Sequence, residues 1–478
     1  MDWNQFDAAL AKCGAYTVYA DSRAAAGQTL CAMVRSATDK KLAVAGETTG
    51  FSGERCGEVL LCPLSVENAR VMMELFPYTK PCSHKNRRFT LGLGDRLGLA
   101  TPGQLRAIAG YDVFPVLAQQ SIRELNLTGR TFPEVIAAAA FGVFQAGYRD
   151  GYGADGDHLK TKDEIHYALE SGCTMITLDC SAHINDQAAE YGPQERQQAY
   201  TALPADLRQK YESKYLNRAL PIVGELDEAE LQRIVLVFSK AIDHAIDCWN
   251  YIAQTAHHEV DFELSIDEAR AVTAPAEHLV IAMELKDAGI TPVSVAPHFT
   301  GEFEKGIEYQ GNLDQFAADL TVHQQIADAF GYKLSLHSGS DKFSVFPTLH
   351  RITKGHVHVK TAGTNWLEAV RVMAKEDPAL FREAFQYALA HRSEAAKYYH
   401  VTTDPATIHN IDLLSDVYLP ELLDLPASRQ LMHICYGVLL TQPWFHQRFF
   451  RLLHEKEACY YAGLEHHIGR HLLYLTAD

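Results

Sequence analysis

Apolar residues gather in eight short segments between residues 89 and 364, and nearly all of these segments end in a polar, chemically capable side chain. They are FTLGLGDR (89–96), VFPVLAQQS (113–121), GYGADGDHL (151–159), TMITLDCS (174–181), VDFELSID (260–267), TPVSVAPHF (291–299), KLSLHSGSDK (333–342) and HVHVKTAGT (356–364). Stretches of helical periodicity separate most of them, such as TFPEVIAAAAFGVFQAG (131–147) and LDQFAADLTVHQQIADAFG (313–331). Strand and helix alternating eight times predict an α/β fold, a parallel (β/α)8 barrel of the TIM type, with its site at the C-terminal ends of the strands. Residues 182–258 interrupt the pattern after the fourth strand. Helices are predicted there over 195–216 and 228–255, the second amphipathic and long enough to be the missing crossover. Residues 1–85 read as a small α/β N-terminal extension, and the barrel core covers 86–365. The chain from 366 to 478 is helical in pattern and is expected to pack on the barrel.

Side chains alternate along a strand, so parity assigns faces. In VDFELSID, Phe262, Leu264 and Ile266 suit the helix side, which turns Glu263 and Ser265 inward. The same reasoning turns Ser294, Ala296 and His298, Ser335 and His337, and Thr177 and Asp179 into the lumen. Histidines and carboxylates from separate strands suit a divalent metal with positions open to water or substrate. His158, His298 and His337 make a candidate three-nitrogen site, with Asp157 and Glu263 available as an acid/base pair. His356 and His358 are a rival pair, weakened because His358 comes early in its strand and so deep in the barrel. Candidate substrate contacts are Arg96, Gln120, Arg123, Lys160, Asp179, Lys342 and Lys360, with the cations suited to an anionic group.

Net charge of −17 without a clustered basic stripe argues against nucleic acid. It leaves an anionic small molecule open, since a few local cations suffice. The ten cysteines include no CxxC pair, which predicts free thiols and a cytoplasmic protein. No signal peptide or membrane-length apolar run is evident. GLGDRLG (92–98) lacks the order of a phosphate loop, GYGADGDHLK (151–160) lacks the closing glutamate of a calcium loop, and no GxSxG elbow is present.

GLGDRLGLATPGQLRA, VLAQQSIRELNLTGRTF, GYGADGDHLKT and TMITLDCS together resemble the tagaturonate epimerase family, and the similarity runs from about residue 86 to the C-terminus. These are metal-dependent enzymes that interconvert D-tagaturonate and D-fructuronate. The resemblance implies a divalent metal cofactor (zinc, manganese, cobalt or nickel) on His158, His298 and His337, Asp157 as proton acceptor and Glu263 as proton donor. It also implies a small sugar acid as substrate; the neutral fructose/tagatose pair, the role of residues 1–85 and a homo-oligomer stay open. The rival readings are a metal-dependent sugar aldolase or ketol-isomerase on the same barrel, and a non-catalytic carbohydrate-binding protein.

Overall fold

The computed structural model describes residues 1–85 and 87–476. Eight parallel strands close into a barrel: β1 (Phe89–Gly92), β2 (Phe114–Ser121), β3 (Gly153–Leu159), β4 (Met175–Asp179), β5 (Asp261–Ser265), β6 (Ser294–Ala296), β7 (Lys333–Leu336) and β8 (Val357–Lys360). Each pairs with its neighbour in chain order, and β8 pairs with β1 to close the ring. Each lies within one of the eight predicted segments. Every strand residue except His158 is buried, as expected where helices cover the outside and side chains fill the lumen.

Local chemistry sets the helix ends. Thr131 caps Phe132–Ala146 through a capping box with Glu134, and Gly147, at φ 61°, ends it in the left-handed region that glycine adopts without strain. Thr161 with Glu164 repeats the device at the start of Lys162–Ser171. The long insertion helix runs over Glu228–Thr255 as predicted, and buries Leu231, Ile234, Val235, Phe238, Ile242 and Ala245 on one face. The predicted helix at 195–216 is broken in two, Pro193–Thr201 and Ala205–Tyr215, because Pro204 cannot continue the first.

The N-terminal extension is a six-stranded antiparallel sheet. One face packs on Phe6 and Leu10 of the first helix; the other meets Met72 and the barrel helix residues Ala140, Phe141 and Phe144. The expectation that all ten thiols are free fails at Cys13 and Cys56, which form a disulfide with their Cα atoms 5.6 Å apart. The turn after the first helix brings Cys13 to an edge strand 43 residues away, a pairing that no local spacing reveals. The other eight are free, with Cys82 and Cys459 exposed.

The C-terminal extension shares one apolar core with the barrel, and Trp366, Phe445, Phe449, Tyr460 and Leu464 lie in it alongside Leu91, Leu178 and Leu334. No described helix is long and apolar enough to cross a membrane. Thr101–Ile108 and Glu457–Leu475 approach closely. A Cβ on Gly103 would lie 3.0 Å from Tyr461 Cα and 2.9 Å from Leu464 Cδ1. Overpacking typically costs about 1–3 kcal/mol. Gly103→Val should therefore lower the melting temperature by a few degrees in a thermal denaturation series. An unchanged value would mean that the helices do not meet at this distance.

Candidate active site

Register decides which side chains share the lumen. Thr177 of β4 pairs with Glu263 of β5, Asp155 and Asp157 of β3 pair with Gln119 and Ser121 of β2, and Ser335 of β7 pairs with His358 of β8. In the middle stands Lys360, the last residue of β8. Its Nζ lies 3.0 Å from Asp155 Oδ2, 2.6 Å from Asp157 Oδ1, 2.9 Å from Glu263 Oε1 and 2.6 Å from Thr177 Oγ1. Burial opposes charge on every member, but the carboxylates outweigh it and hold the ammonium well above its usual range. On Asp157 and Glu263, burial is likewise overcome by Lys360, with His337 assisting, so both stay ionised well below the carboxylate range. Asp155 is the exception: burial dominates and lifts it to about 6, since Lys360 is shared with two other acids.

Above this cluster sit His158 and His337. β3 bulges against β4, so that Asp157 and His158 together oppose the single residue Thr177. His158 takes a left-handed backbone, φ 52°, within this bulge. The extra residue lets neighbours in sequence both face the lumen, which strict alternation forbids. His337 donates from Nε2 to Glu263 Oε1 at 2.8 Å. Its Nδ1 is buried without a hydrogen bond, 3.1 Å from Asp267 Oδ2 but out of line with it. His158 Nδ1 is likewise buried without a hydrogen bond, 3.8 Å from Asp179 Oδ2. One ligand atom from each of His158, Asp267 and His337 lies within 4.8 Å of the other two. Burial would lower His337, yet the Asp267 and Glu263 carboxylates raise it to about 10. The same negative field favours a metal cation. Two ring nitrogens without hydrogen bonds and a carboxylate fit a divalent ion, with Glu263 as the outer partner that would fix the His337 tautomer.

His298 lies beyond the end of β6, on the rim. Its ring donates from Nδ1 to Ala269 O at 2.7 Å, and its backbone exchanges hydrogen bonds with Thr273. It lines the same recess as Asp267 and His337 without joining the close trio. His358 lies at the deep end, fully buried and 2.7 Å from Thr90 Oγ1.

Of the substrate candidates, Arg123 faces the open recess, with Nη1 donating to Tyr398 O at 3.3 Å and its guanidinium over the Tyr399 ring. Arg96 also lines it, but gives Nε and Nη2 to Glu124 Oε1 at 2.9 and 2.7 Å. Lys160 is solvent-facing and pairs with Asp179 at 3.1 Å; Asp179 in turn lies 3.8 Å from His158 Nδ1. Three expectations are corrected. Lys342 is fully buried and donates to the carbonyls of Glu304, Ile307 and Ser340, which leaves it nothing for a substrate. Lys360 is enclosed by three carboxylates, and it is their excess negative charge that disfavours a fourth beside it. Gln120 pairs with Gly156 on the helix side, and its neighbour Gln119 faces the recess instead. Gly92 makes room for that amide, since a Cβ there would lie 2.1 Å from Gln119 Oε1.

Asp155, Asp267, Lys305 and His433, none of them among the site residues expected from sequence, are brought by the structure to the site or its recess. Asp267 follows Glu263 and Ser265 at the same parity, so the alternation that gave those two pointed to it as well. Lys305 and His433 come from a loop and from the C-terminal extension, where no periodicity marks a direction.

A family model described as UxaE, tagaturonate epimerase, matches residues 19–475. It corrects the expectation that the likeness begins near residue 86, since most of the N-terminal sheet is included. The tagaturonate/fructuronate epimerase of Thermotoga maritima is 38% identical over 444 residues, covering 91% of each chain. The native crystal structure of the fructuronate-tagaturonate epimerase UxaE from Cohnella laeviribosi is 47% identical, with a TM-score of 0.95 over 99% of each chain. A complex of that protein with one glycerol matches equally well. Barrel, N-terminal sheet and C-terminal extension all take part in these matches, and the chain belongs to the tagaturonate epimerase family of carbohydrate isomerases.

Proposed function

We propose that this protein is a divalent-metal-dependent epimerase that interconverts D-tagaturonate and D-fructuronate. The observation that carries the reading is the convergence of His158, Asp267 and His337 beside an ionised Asp157 at the mouth of the barrel. The names of the relatives supply the substrate pair. His158, His337 and Asp267 would hold a divalent cation, which when bound would supply Lewis-acid polarisation of the substrate's ketone.

The two ketouronates differ at one carbinol carbon, β to the ketone. Its C–H is not acidified by that carbonyl, so direct inversion needs two bases on opposite faces of an unactivated carbon. Asp157 and Glu263 are poorly disposed for that, because both are engaged by the same Lys360 Nζ, at 2.6 and 2.9 Å, which gathers them onto one ammonium rather than leaving each free on its own face of the substrate. Retro-aldol chemistry needs a single base. Asp157 takes the proton of the β-hydroxyl, the bond between the α and β carbons breaks, and its electrons pass toward the ketone. The aldehyde fragment turns over, the bond reforms on its other face, and Asp157 returns the proton to the new alkoxide. Lys360 keeps Asp157 ionised for the first step. Glu263, ionised and bonded to His337, orients that ring; it becomes a proton donor only after it has itself taken a proton.

NMR of D-fructuronate with the metal-loaded enzyme in D2O tests the route. The expected product is D-tagaturonate without deuterium at the inverted carbon. Label at that carbon would replace cleavage by proton exchange, and no epimerisation at all would end the proposed function.

The acid/base assignment is tested by Asp157→Asn and Glu263→Gln. General acid–base catalysis contributes about 10²–10⁴-fold, and Asp157→Asn should lose activity in that range while keeping its metal. Loss of an outer partner typically weakens metal binding about 10–100-fold, so Glu263→Gln should need more metal to saturate as well as turn over slowly. Metal titration followed by activity separates the two. Near-normal turnover in Asp157→Asn would remove it as the base.

A further inference from the structure

The space above Asp157 and His337 has two lobes that share Arg123, Lys305, His337, Ser338 and Tyr399. Most cations near it are already committed: Arg96 to Glu124, Lys360 to three carboxylates and Lys342 to backbone carbonyls. Lys305 differs. It is half-buried, yet among the described residues its ammonium has neither a salt bridge nor a hydrogen bond. Arg123 beside it has a buried Nε without a partner. His433, 2% exposed and lining the same lobe, has no hydrogen-bond partner at either ring nitrogen. Unpaired polar groups of this kind are costly unless a ligand or water satisfies them.

The backbone around Lys305 is held firmly. Lys342 Nζ donates to Glu304 O at 2.9 Å and Ile307 O at 2.5 Å, and Arg429 Nε donates to Gly306 O at 2.9 Å. The Glu304 carboxylate accepts from Thr402 N at 3.0 Å and Gln430 Nε2 at 2.8 Å. Both sides of Lys305 are thus fastened to the barrel and the C-terminal extension. The braces aim one unpaired ammonium at the space over the metal trio.

We infer that Lys305, with Arg123 at its side, binds the carboxylate of the sugar acid. The inference rests on the uronate reading of the site given above. It also meets a requirement of the retro-aldol route, in which the carboxylate belongs to the aldehyde fragment that must turn over without escaping. An anchor at the far end leaves the aldehyde carbon free to rotate.

The test uses two inert six-carbon probes, D-mannonate and its uncharged counterpart D-mannitol, as competitive inhibitors of the metal-loaded enzyme acting on D-fructuronate. Wild type should prefer mannonate, and K305M should weaken mannonate roughly ten- to hundredfold while leaving mannitol within about twofold. K305R should retain most of the preference, and K305Q, which keeps a polar side chain, should lose it as K305M does. A K305M or K305Q enzyme that still prefers mannonate to the wild-type degree overturns the assignment, as does a wild type with no preference. Failure of wild type to turn over D-fructuronate would instead strike at the uronate reading itself, so the two failures are distinguishable.

Discussion

One ammonium organises the site. Lys360 Nζ stands 2.6–3.0 Å from three carboxylates and a threonine hydroxyl in a lumen closed to water on most sides. Buried charges survive only when paired and hydrogen-bonded, and removing one partner leaves the rest uncompensated at a cost of about 3–5 kcal/mol. The charges do not balance within the cluster, and the imbalance is what makes the site work. Asp155 rises toward a protonated state while Asp157 and Glu263 remain ionised. Glu263 then draws in the Nε2–H of His337, which turns Nδ1 toward His158 and Asp267. From Lys360 to Glu263 to His337, each contact fixes the next, and the close approach of His337 to His158 and Asp267 is the end of that sequence.

The other arm of the site depends on backbone strain. Asp157 and His158 adjoin in sequence, so a regular strand would send one of them outward. The bulge in β3 and the left-handed His158 prevent this, at a cost of order 1–3 kcal/mol for a non-glycine residue in that region. Ser338, one residue past His337, is left-handed as well, with φ 49°. Strained residues thus flank the place where the two histidine rings meet, with their centroids 4.9 Å apart.

The barrel was legible because its strands are short, apolar and spaced by capped helices, and all eight fall inside the predicted segments. Parity also found Glu263, His337 and Thr177, since it requires only that a strand be regular. It went no further where regularity ended. His298 lies past a three-residue strand and is held by Ala269 and Thr273, so alternation along TPVSVAPHF had no purchase on its ring. Lys342 read as a mouth cation from its place after β7, but three carbonyls converge on it from a loop that sequence alone does not fold. The Cys13–Cys56 link and the approach of His433 to the recess are long-range facts of the same kind.

A division of labour follows from where the groups come from. The chemical groups stand on barrel strands or directly at their ends, where a shared register holds them to one another. The polar groups that line the recess above them, Lys305, Arg123 and His433, come from a loop, a short helix and the C-terminal extension. A barrel of fixed strands tolerates changes in its loops far better than changes within its lumen. On this architecture the lining of the recess can change without disturbing His158, Asp267 and His337. The braces from Arg429, Gln430 and Thr402 tie the C-terminal extension to the loop that carries Lys305 and so to the lining of the recess.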